Sequence, residues 1–315
     1  MQRRHFIKQT ATAISALSLP FVRNNALAES PAILPSAGNN ALTETYTAIT
    51  GQAAGYKKAI MWGTVGMEGT VSEKCKAIKA AGFAGIEPNS HMDRKEVIDA
   101  MKANGLTASS VCCSTHWNKP LTSPDAAIRQ EGIEGAIVTL EDVHAYRADA
   151  ILLVVGAVNE DVPYDVCWNR SVEGIKKILP TAEKLKVQIC IENVGNRFLL
   201  SPLEAVQYVD QFNSPYVKWY FDVGNIMSSG WPEQWINILG NRIARIHIKE
   251  YSSKTDEQGR RVRAPLADGE VNWPKVMEAI RKNYGGAWLI TEIGSNRTLE
   301  EMKDLNDRFD RILIL

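Results

Sequence analysis

The chain has few cysteines, and their spacing excludes the scaffolds that cysteines usually build. There are five in 315 residues, none in a Cys-x-x-Cys pair, and Cys112 and Cys113 are neighbours. An odd count with this spacing excludes a disulfide framework and a thiolate zinc site. Long apolar runs are missing as well. The apolar stretch over residues 11–22 is shorter than the roughly 20 residues that a membrane helix needs.

An excess of charge of either sign is also absent. The 36 Lys and Arg residues balance 36 Asp and Glu residues. A basic surface is typical of proteins that bind nucleic acid or anionic membranes, so we expect no nucleic-acid partner. With 45% hydrophobic and 23% charged residues, the composition is that of an ordinary globular protein. It excludes disorder, collagen and coiled coil as the main class.

The first 28 residues contain four basic side chains and no acidic one. The run RRHFIK at residues 3–8 resembles a twin-arginine export signal. Ala-Leu-Ala at residues 26–28 has the small-x-small form of a cleavage site. We therefore predict an export signal peptide over residues 1–28, a periplasmic or extracellular location, and no membrane association after processing. The alternative is an amphipathic N-terminal helix that stays on the protein.

Residues 29–57 contain Pro31, Pro35 and Gly38 and show little hydrophobic periodicity, which predicts a polar linker. Beyond it, short apolar runs typical of strands alternate with longer amphipathic runs typical of helices. The predicted strands cover residues 59–62, 85–87, 108–112, 150–155, 188–191, 218–221, 245–248 and 287–290. The predicted helices cover residues 70–81, 93–104, 125–147, 165–185, 201–211, 231–239, 272–282 and 297–314.

Eight strand–helix units within about 258 residues match the size of a TIM barrel, for which roughly 250 residues are typical. A doubly wound sheet also alternates, but its first turn usually carries the GxGxxG spacing. Residues 62–66 read Trp-Gly-Thr-Val-Gly and lack that spacing. We therefore predict an α/β protein with a single (β/α)8 TIM barrel over residues 58–315, preceded by the signal peptide and the short polar extension.

Polar residues end four consecutive predicted strands, namely Glu192, Asp222, His247 and Glu292. Such groups are costly to bury unless they are paired or bound to a metal, and strand ends converge at the mouth of a barrel. Any one of them alone would be read as a helix cap, an ion-pair partner or a core histidine, so the prediction depends on all four. Oxygen and nitrogen ligands suit Mn²⁺, Mg²⁺, Co²⁺ or Zn²⁺, and we favour Mn²⁺ as the single bound ion.

The segments IEN, FDVGN, HIKE and TEIG, in this order, resemble the xylose-isomerase-like TIM-barrel superfamily of sugar phosphate isomerases and epimerases. Ketose 3-epimerases and hydroxypyruvate isomerases are the more similar members, and the resemblance covers about residues 58–315. It implies a divalent-metal-dependent isomerase or epimerase that moves a proton next to a ketose carbonyl through a cis-enediolate. It also implies Glu192 and Glu292 as the acid/base pair, with Asp222 and His247 completing the metal site.

Six further residues are predicted to bind the sugar substrate, namely Trp62, Glu87, His116, Arg197, Asn225 and Glu250. Glu87, His116 and Glu250 resemble substrate contacts of relatives, and Arg197 could hold a substrate anion. Some ketose epimerases carry a His where this chain has Asn225, which indicates another subfamily. The ordinary alternatives are a rim ion pair for Glu87, a plain loop position for His116, packing for Trp62 and a cap on the acidic mouth for Arg197. Lys249 stays unassigned, because whether it shares a face with His247 depends on where the strand ends.

Two other functions remain open at this point. A metal-dependent lyase or hydratase acting on 3-keto-glycosides would use the same metal ligands and the same two acids, and an export signal favours such substrates over sugar phosphates. A non-catalytic sugar-binding protein is the other. A DNA-repair phosphodiesterase of this superfamily is disfavoured, because five His in the chain are too few for a His-rich three-zinc cluster. The resemblance leaves a homo-oligomer possible.

Overall fold

The computed structural model describes residues 55–294 and 296–315. The predicted signal peptide over residues 1–28 and nearly all of the predicted linker over residues 29–57 lie outside the described residues. Both stay predictions. None of the described helices has both the length and the apolar character that crossing a bilayer requires.

Short strands alternate with longer helices along the whole described chain. The strands are β1 (Lys57–Met61), β2 (Gly85–Glu87), β3 (Thr107–Ala108), β4 (Val111–Cys112), β5 (Ala150–Leu153), β6 (Gln188–Glu192), β7 (Val217–Asp222), β8 (Ile243–Ile248) and β9 (Trp288–Thr291). The helices are α1 (Val71–Ala80), α2 (Arg94–Asn104), α3 (Ala126–Ala145), α4 (Tyr164–Leu185), α5 (Pro202–Asp210), α6 (Val223–Ile226), α7 (Pro232–Leu239), α8 (Trp273–Asn283) and α9 (Leu299–Leu313).

All strand pairings in the barrel sheet are parallel, in the order β3-β2-β1-β9-β8-β7-β6-β5-β4. The strands at the two ends of this order, β3 and β4, are halves of the single strand predicted at residues 108–112. They are separated by Ser109 and Ser110. Ser109 N donates to Ile86 O over 2.9 Å, and Cys112 N donates to Pro88 O over 2.9 Å. These bonds carry the sheet across the interruption, so the predicted eight-stranded TIM barrel is confirmed with its third strand divided.

Side chains alternate between two apolar layers along each strand, as the period of two requires. In β6, Ile189 and Ile191 pack in the layer that also contains the buried helix residues, while Cys190 belongs to the smaller cluster of strand residues. In β7, Phe221 joins the first layer and Tyr220 the second. The second cluster fills the barrel interior. This alternation decides which polar residues at the strand ends continue the inward-facing series.

The helix boundaries follow local capping signals. Ser201 Oγ accepts a hydrogen bond from Glu204 N, and the Glu204 carboxylate accepts one from Ser201 N, so α5 begins with a capping box before Pro202. Gly105 ends α2 with a left-handed backbone at φ 62°, a conformation that glycine adopts at little cost. Both boundaries lie within one residue of the predicted ones.

Gly85 sets the spacing of β2, the strand that ends at the buried Glu87. A Cβ at this position would overlap Thr107 O and lie 2.7 Å from the Trp288 ring. Overpacking of this kind costs typically about 1–3 kcal/mol. We therefore expect Gly85→Ala to lower the free energy of unfolding by about 1–3 kcal/mol, measured by urea denaturation.

The matched control is Gly285→Ala, where an added Cβ meets nothing within 4 Å. Its effect is expected to stay within about 0.5 kcal/mol, as for most surface substitutions. Equal stability of the Gly85→Ala protein and the wild type would contradict the close packing of β2.

Candidate metal centre at the mouth of the barrel

The four predicted metal ligands come together where four neighbouring strands end. One ligand atom from each residue lies within 4.8 Å of the others. We call this group the acidic cluster; its members are Glu192, Asp222, His247 and Glu292. The first three are buried and Glu292 is half-buried. The cluster forms because each member continues the inward-facing alternation of its strand, and its four side chains could hold a metal ion.

His247 lies at the centre of the cluster. Its Nδ1 is 3.1 Å from Glu192 Oε1 and 3.3 Å from Glu292 Oε2, and 3.8 Å from Asp222 Oδ2. Burial alone would lower the pKa of His247. The charge of Glu87 and the hydrogen bonds with three glutamates outweigh burial and raise the pKa well above its usual range. As a metal ligand, the ring would instead use Nδ1 in its neutral form and keep its proton on Nε2.

The carboxylates of the cluster are held at close range with little solvent. Burial raises the pKa of Glu192 and raises that of Asp222 well above its usual range. Burial would also raise the pKa of Glu292, but His247 and Lys249 lower it below its usual range. Asp222 Oδ2 is buried and has no hydrogen-bond partner among the described residues. A buried carboxylate oxygen without a donor, facing two further carboxylates, fits a divalent cation.

Glu87 lies behind His247, on the side opposite the acidic cluster. Its Oε2 is 2.9 Å from His247 Nε2. Its Oε1 accepts hydrogen bonds of 2.7 Å from the hydroxyls of Ser110 and Tyr220. The side chain is fully buried. Glu87 ends the three-residue strand β2 and orients the imidazole, as the outer partners of metal-binding histidines do. Its predicted contact with substrate stays a prediction.

Lys249 also belongs to the site, although sequence reasoning left it unassigned. Its Nζ lies 2.8 Å from Glu292 Oε2 and 3.6 Å from Asp222 Oδ2. These two carboxylates outweigh burial and raise the pKa of Lys249 above its usual range. The alternation from His247 continues past the end of β8, which is the signal that could have identified it. Gly224 leaves room for it, because a Cβ there would lie 2.8 Å from Lys249 Cγ.

Two asparagines fix the backbone that carries Asp222. Asn193 Oδ1 accepts from Asp222 N over 3.0 Å, and Asn193 Nδ2 donates to Asp222 O over 2.8 Å. Asn225 N donates to Asp222 Oδ1 over 2.6 Å, and Asn225 Nδ2 donates to Asn193 O over 3.0 Å. Asn193 was not predicted as a site residue. Its role is to bridge two strand ends, which only the folded barrel brings together.

A cavity of about 790 Å³ opens at the carboxyl ends of the strands. Glu292, Lys249 and Asn225 line it together with Arg261 and Arg263 from the loop between β8 and α8. Its volume lies in the range of small-molecule sites, about 300–1,000 Å³. The acidic cluster therefore has an adjoining space in which a sugar could bind.

Glu250 lines this cavity, but its carboxylate is occupied by the protein itself. Oε1 accepts from Tyr251 N and Val271 N, and Oε2 accepts from Ala267 N and Trp273 Nε1, over 2.8–3.2 Å. The predicted substrate contact of Glu250 stays a prediction. With four donors on two oxygens, Glu250 anchors the loop between β8 and α8.

Residues 75–310 match the family described as "Xylose isomerase-like TIM barrel". The chain belongs to this family. L-ribulose-5-phosphate 3-epimerase UlaE from Escherichia coli O1:K1 / APEC is 26% identical over 206 residues, which cover 64% of this chain and 70% of that protein.

Two solved structures of the same fold are similar over most of both chains. D-psicose 3-epimerase, crystallised in the presence of D-fructose, is 21% identical with a TM-score of 0.66, over 82% of this chain and 99% of that chain. The apo form of 3-keto-D-glucoside 4-epimerase YcjR from E. coli is 14% identical with a TM-score of 0.69, over 82% and 98%. At these identities the two structures establish the fold of the family member described here.

Three predicted substrate residues lie outside the set that lines the cavity of this family member, as the described residues define it. His116 is buried, its Nδ1 accepts from Val154 N over 3.3 Å, and burial lowers its pKa to about 4. Arg197 is exposed. Trp62 is half-buried and its ring faces the Lys74 ammonium at 5.6 Å. Their predicted contacts with substrate stay predictions.

The acidic cluster can be tested by measuring bound metal. We expect Asp222→Ala combined with His247→Ala to reduce bound metal from about one ion per chain to near zero, because two of four ligands are lost. Metal analysis after loading and gel filtration gives the stoichiometry, and circular dichroism confirms the fold.

Asp149→Asn is the matched control. Asp149 pairs with Arg245 Nη2 and directly precedes β5, so it lies at the amino end of the barrel, away from the cluster. This variant should keep its metal. Full metal content in the Asp222→Ala, His247→Ala protein would contradict the site.

Proposed function

We propose that the protein is a divalent-metal-dependent sugar isomerase or epimerase that moves a proton next to a ketose carbonyl. One observation carries the proposal: the ligand atoms of the acidic cluster lie within 4.8 Å of one another, beside a cavity of about 790 Å³. The sugar epimerases among its relatives support the same reaction class. The substrate is a small sugar.

The acidic cluster would hold the metal. When bound, the ion would polarise the ketose carbonyl and stabilise negative charge on its oxygen. We favour Mn²⁺ over Mg²⁺, Co²⁺ and Zn²⁺, all of which accept carboxylate and imidazole ligands. Asp222 Oδ2 accepts no hydrogen bond among the described residues, so its lone pairs are available to a cation.

Glu192 and Glu292 would transfer the protons. They come from β6 and from the residue after β9, and they reach His247 from two different strands. One carboxylate removes the proton beside the carbonyl, which gives a cis-enediolate. The other returns a proton, either to the opposite face of the same carbon in an epimerase or to the neighbouring carbon in an isomerase.

The surrounding residues hold this pair in place. Lys249 binds Glu292 over 2.8 Å, so the ammonium keeps that carboxylate ionised and oriented. Glu87 fixes the imidazole of His247 from behind. Proton transfer depends on such positioning, because a general base has to be within hydrogen-bond reach of the proton that it removes.

A lyase or hydratase acting on 3-keto-glycosides is the second candidate. The cavity volume of about 790 Å³ lies in the range of sites for drug-sized ligands, so it has room for a glycoside. Glu192 and Glu292 would again act as base and acid, and a leaving group would depart from the β-carbon. Export through the signal predicted over residues 1–28 would bring the protein to such substrates. That location is part of our proposal.

Exchange in D₂O tests the proposed function. Metal-loaded protein incubated with ketoses and 3-keto-glycosides should incorporate deuterium at the carbon next to the carbonyl, because the enediolate takes up a solvent proton. Glu192→Gln and Glu292→Gln should each slow this exchange by about 10²–10⁴-fold, the usual contribution of general acid–base catalysis. Mass spectrometry and NMR give the rate and the position.

The products separate the candidate functions. An epimer or aldose supports the first, loss of the glycosidic leaving group supports the second, and binding without exchange supports a sugar-binding protein. Exchange that survives both glutamine substitutions would contradict the assigned acid/base pair.

A further inference from the structure

We propose that the substrate carries an anionic group, a phosphate or a carboxylate, which Arg261 and Arg263 bind at the end remote from the reacting carbonyl. This inference rests on the proposed function and specifies its substrate class. Both arginines line the same cavity as Glu292 and Lys249. Among the described residues, neither takes part in a salt bridge to a carboxylate.

The loop that carries the two arginines has a defined internal structure. Thr255 and Arg261 form an antiparallel bridge, and Val262 N donates to Lys254 O over 2.9 Å. Glu250, at the start of the loop, is joined to its end by hydrogen bonds from Ala267, Val271 and Trp273. These hydrogen bonds therefore hold the segment that carries the two arginines at the cavity.

Arg261 is further oriented by an aromatic ring. Its guanidinium lies 4.6 Å from the centroid of the Tyr251 ring. A cation–π contact uses the face of the guanidinium and leaves its N–H groups in the guanidinium plane able to donate. These donors match the paired oxygens of a phosphate or a carboxylate. Tyr251 thus orients the Arg261 guanidinium toward an anion and leaves its positive charge in place.

Arg260, the neighbour of Arg261, shows the opposite arrangement. Its Nε lies 2.8 Å from Asp256 Oδ2, and its side chain is 76% exposed. It is not among the residues that line the cavity. Within one short segment, the arginine outside the cavity lining is paired with an acid, and the two that line the cavity form no salt bridge among the described residues. The two arginines that line the cavity therefore keep their donors for a ligand.

The charges around the cavity also define an orientation for the substrate. The acidic cluster brings three carboxylates to one part of the site, and the loop brings two arginines to another. The carboxylates of the cluster would be compensated by the metal ion and by Lys249, whereas the two arginines have no carboxylate partner among the described residues and would attract an anionic group. The carbonyl and its adjacent hydroxyl would then face the metal ligands. Arg197, for which a substrate anion was also predicted, lies outside the cavity lining.

The test compares matched anionic and neutral substrates. The pairs are L-ribulose 5-phosphate with L-ribulose, and a 2-ketohexuronate with the corresponding 2-ketohexose. Wild-type metal-loaded protein should have a higher kcat/KM for one anionic member than for its neutral partner, and the preferred pair identifies the anion. Arg261→Ala combined with Arg263→Ala should lower kcat/KM for that substrate by about 10–100-fold, mainly through KM. The neutral partner should change by less than about 3-fold, because it makes no charge-assisted bond to either arginine.

Arg260→Ala is the control and should leave kcat/KM unchanged for both the anionic and the neutral substrate. A wild type that prefers the neutral member of both pairs would overturn the proposal. Equal losses for the anionic and neutral substrates in the double variant would overturn it too.

A titration with inorganic phosphate separates this proposal from the proposed function. Calorimetry should show phosphate binding to wild type and to Arg260→Ala, and binding at least about 10-fold weaker to the double variant. Phosphate binding without deuterium exchange into any ketose would contradict the proposed function and support the anion site. Failure of wild type to bind phosphate, or equal binding by the double variant, would remove the anion site.

Discussion

Repulsion between buried carboxylates is the constraint on which the rest of the site depends. Three carboxylates and one imidazole offer ligand atoms within 4.8 Å of one another, and most of this group is closed to solvent. Negative charges this close are costly unless cations or donors compensate them. The protein supplies one ammonium from Lys249 and the hydrogen bonds of His247. Asp222 Oδ2 accepts no hydrogen bond among the described residues, and a metal ion at this oxygen would complete the compensation.

The barrel solves the geometric part of this problem through alternation. Inward-facing positions of neighbouring parallel strands meet at one end, so four short segments far apart in sequence deliver four ligands to one point. The division of the third strand also helps to position the metal ligands. Because regular pairing is interrupted there, Ser110 reaches Glu87 over 2.7 Å, and Glu87 in turn fixes His247. An irregularity in the sheet thereby supports the imidazole.

The strands, the helices and the members of the acidic cluster could be predicted from the sequence because their signals are local. Alternation of apolar residues and caps such as Ser201 with Glu204 act over a few positions. The roles of Glu87 and Glu250 could not be predicted, because most of their partners are distant in sequence. Ser110 lies 23 residues from Glu87, and Ala267 lies 17 residues from Glu250. Lys249 needed only the strand alternation to be extended by one residue beyond β8. The signal peptide predicted over residues 1–28 is not tested by the fold.

The direct test of the central claim is the position of the ion. Crystals grown with Mn²⁺ and measured on both sides of its absorption edge give an anomalous difference map. The account predicts a single strong peak bound by Glu192, Asp222, His247 and Glu292, at distances of about 2.0–2.3 Å typical of such ligands. A peak elsewhere, or a site without the imidazole of His247, would contradict it.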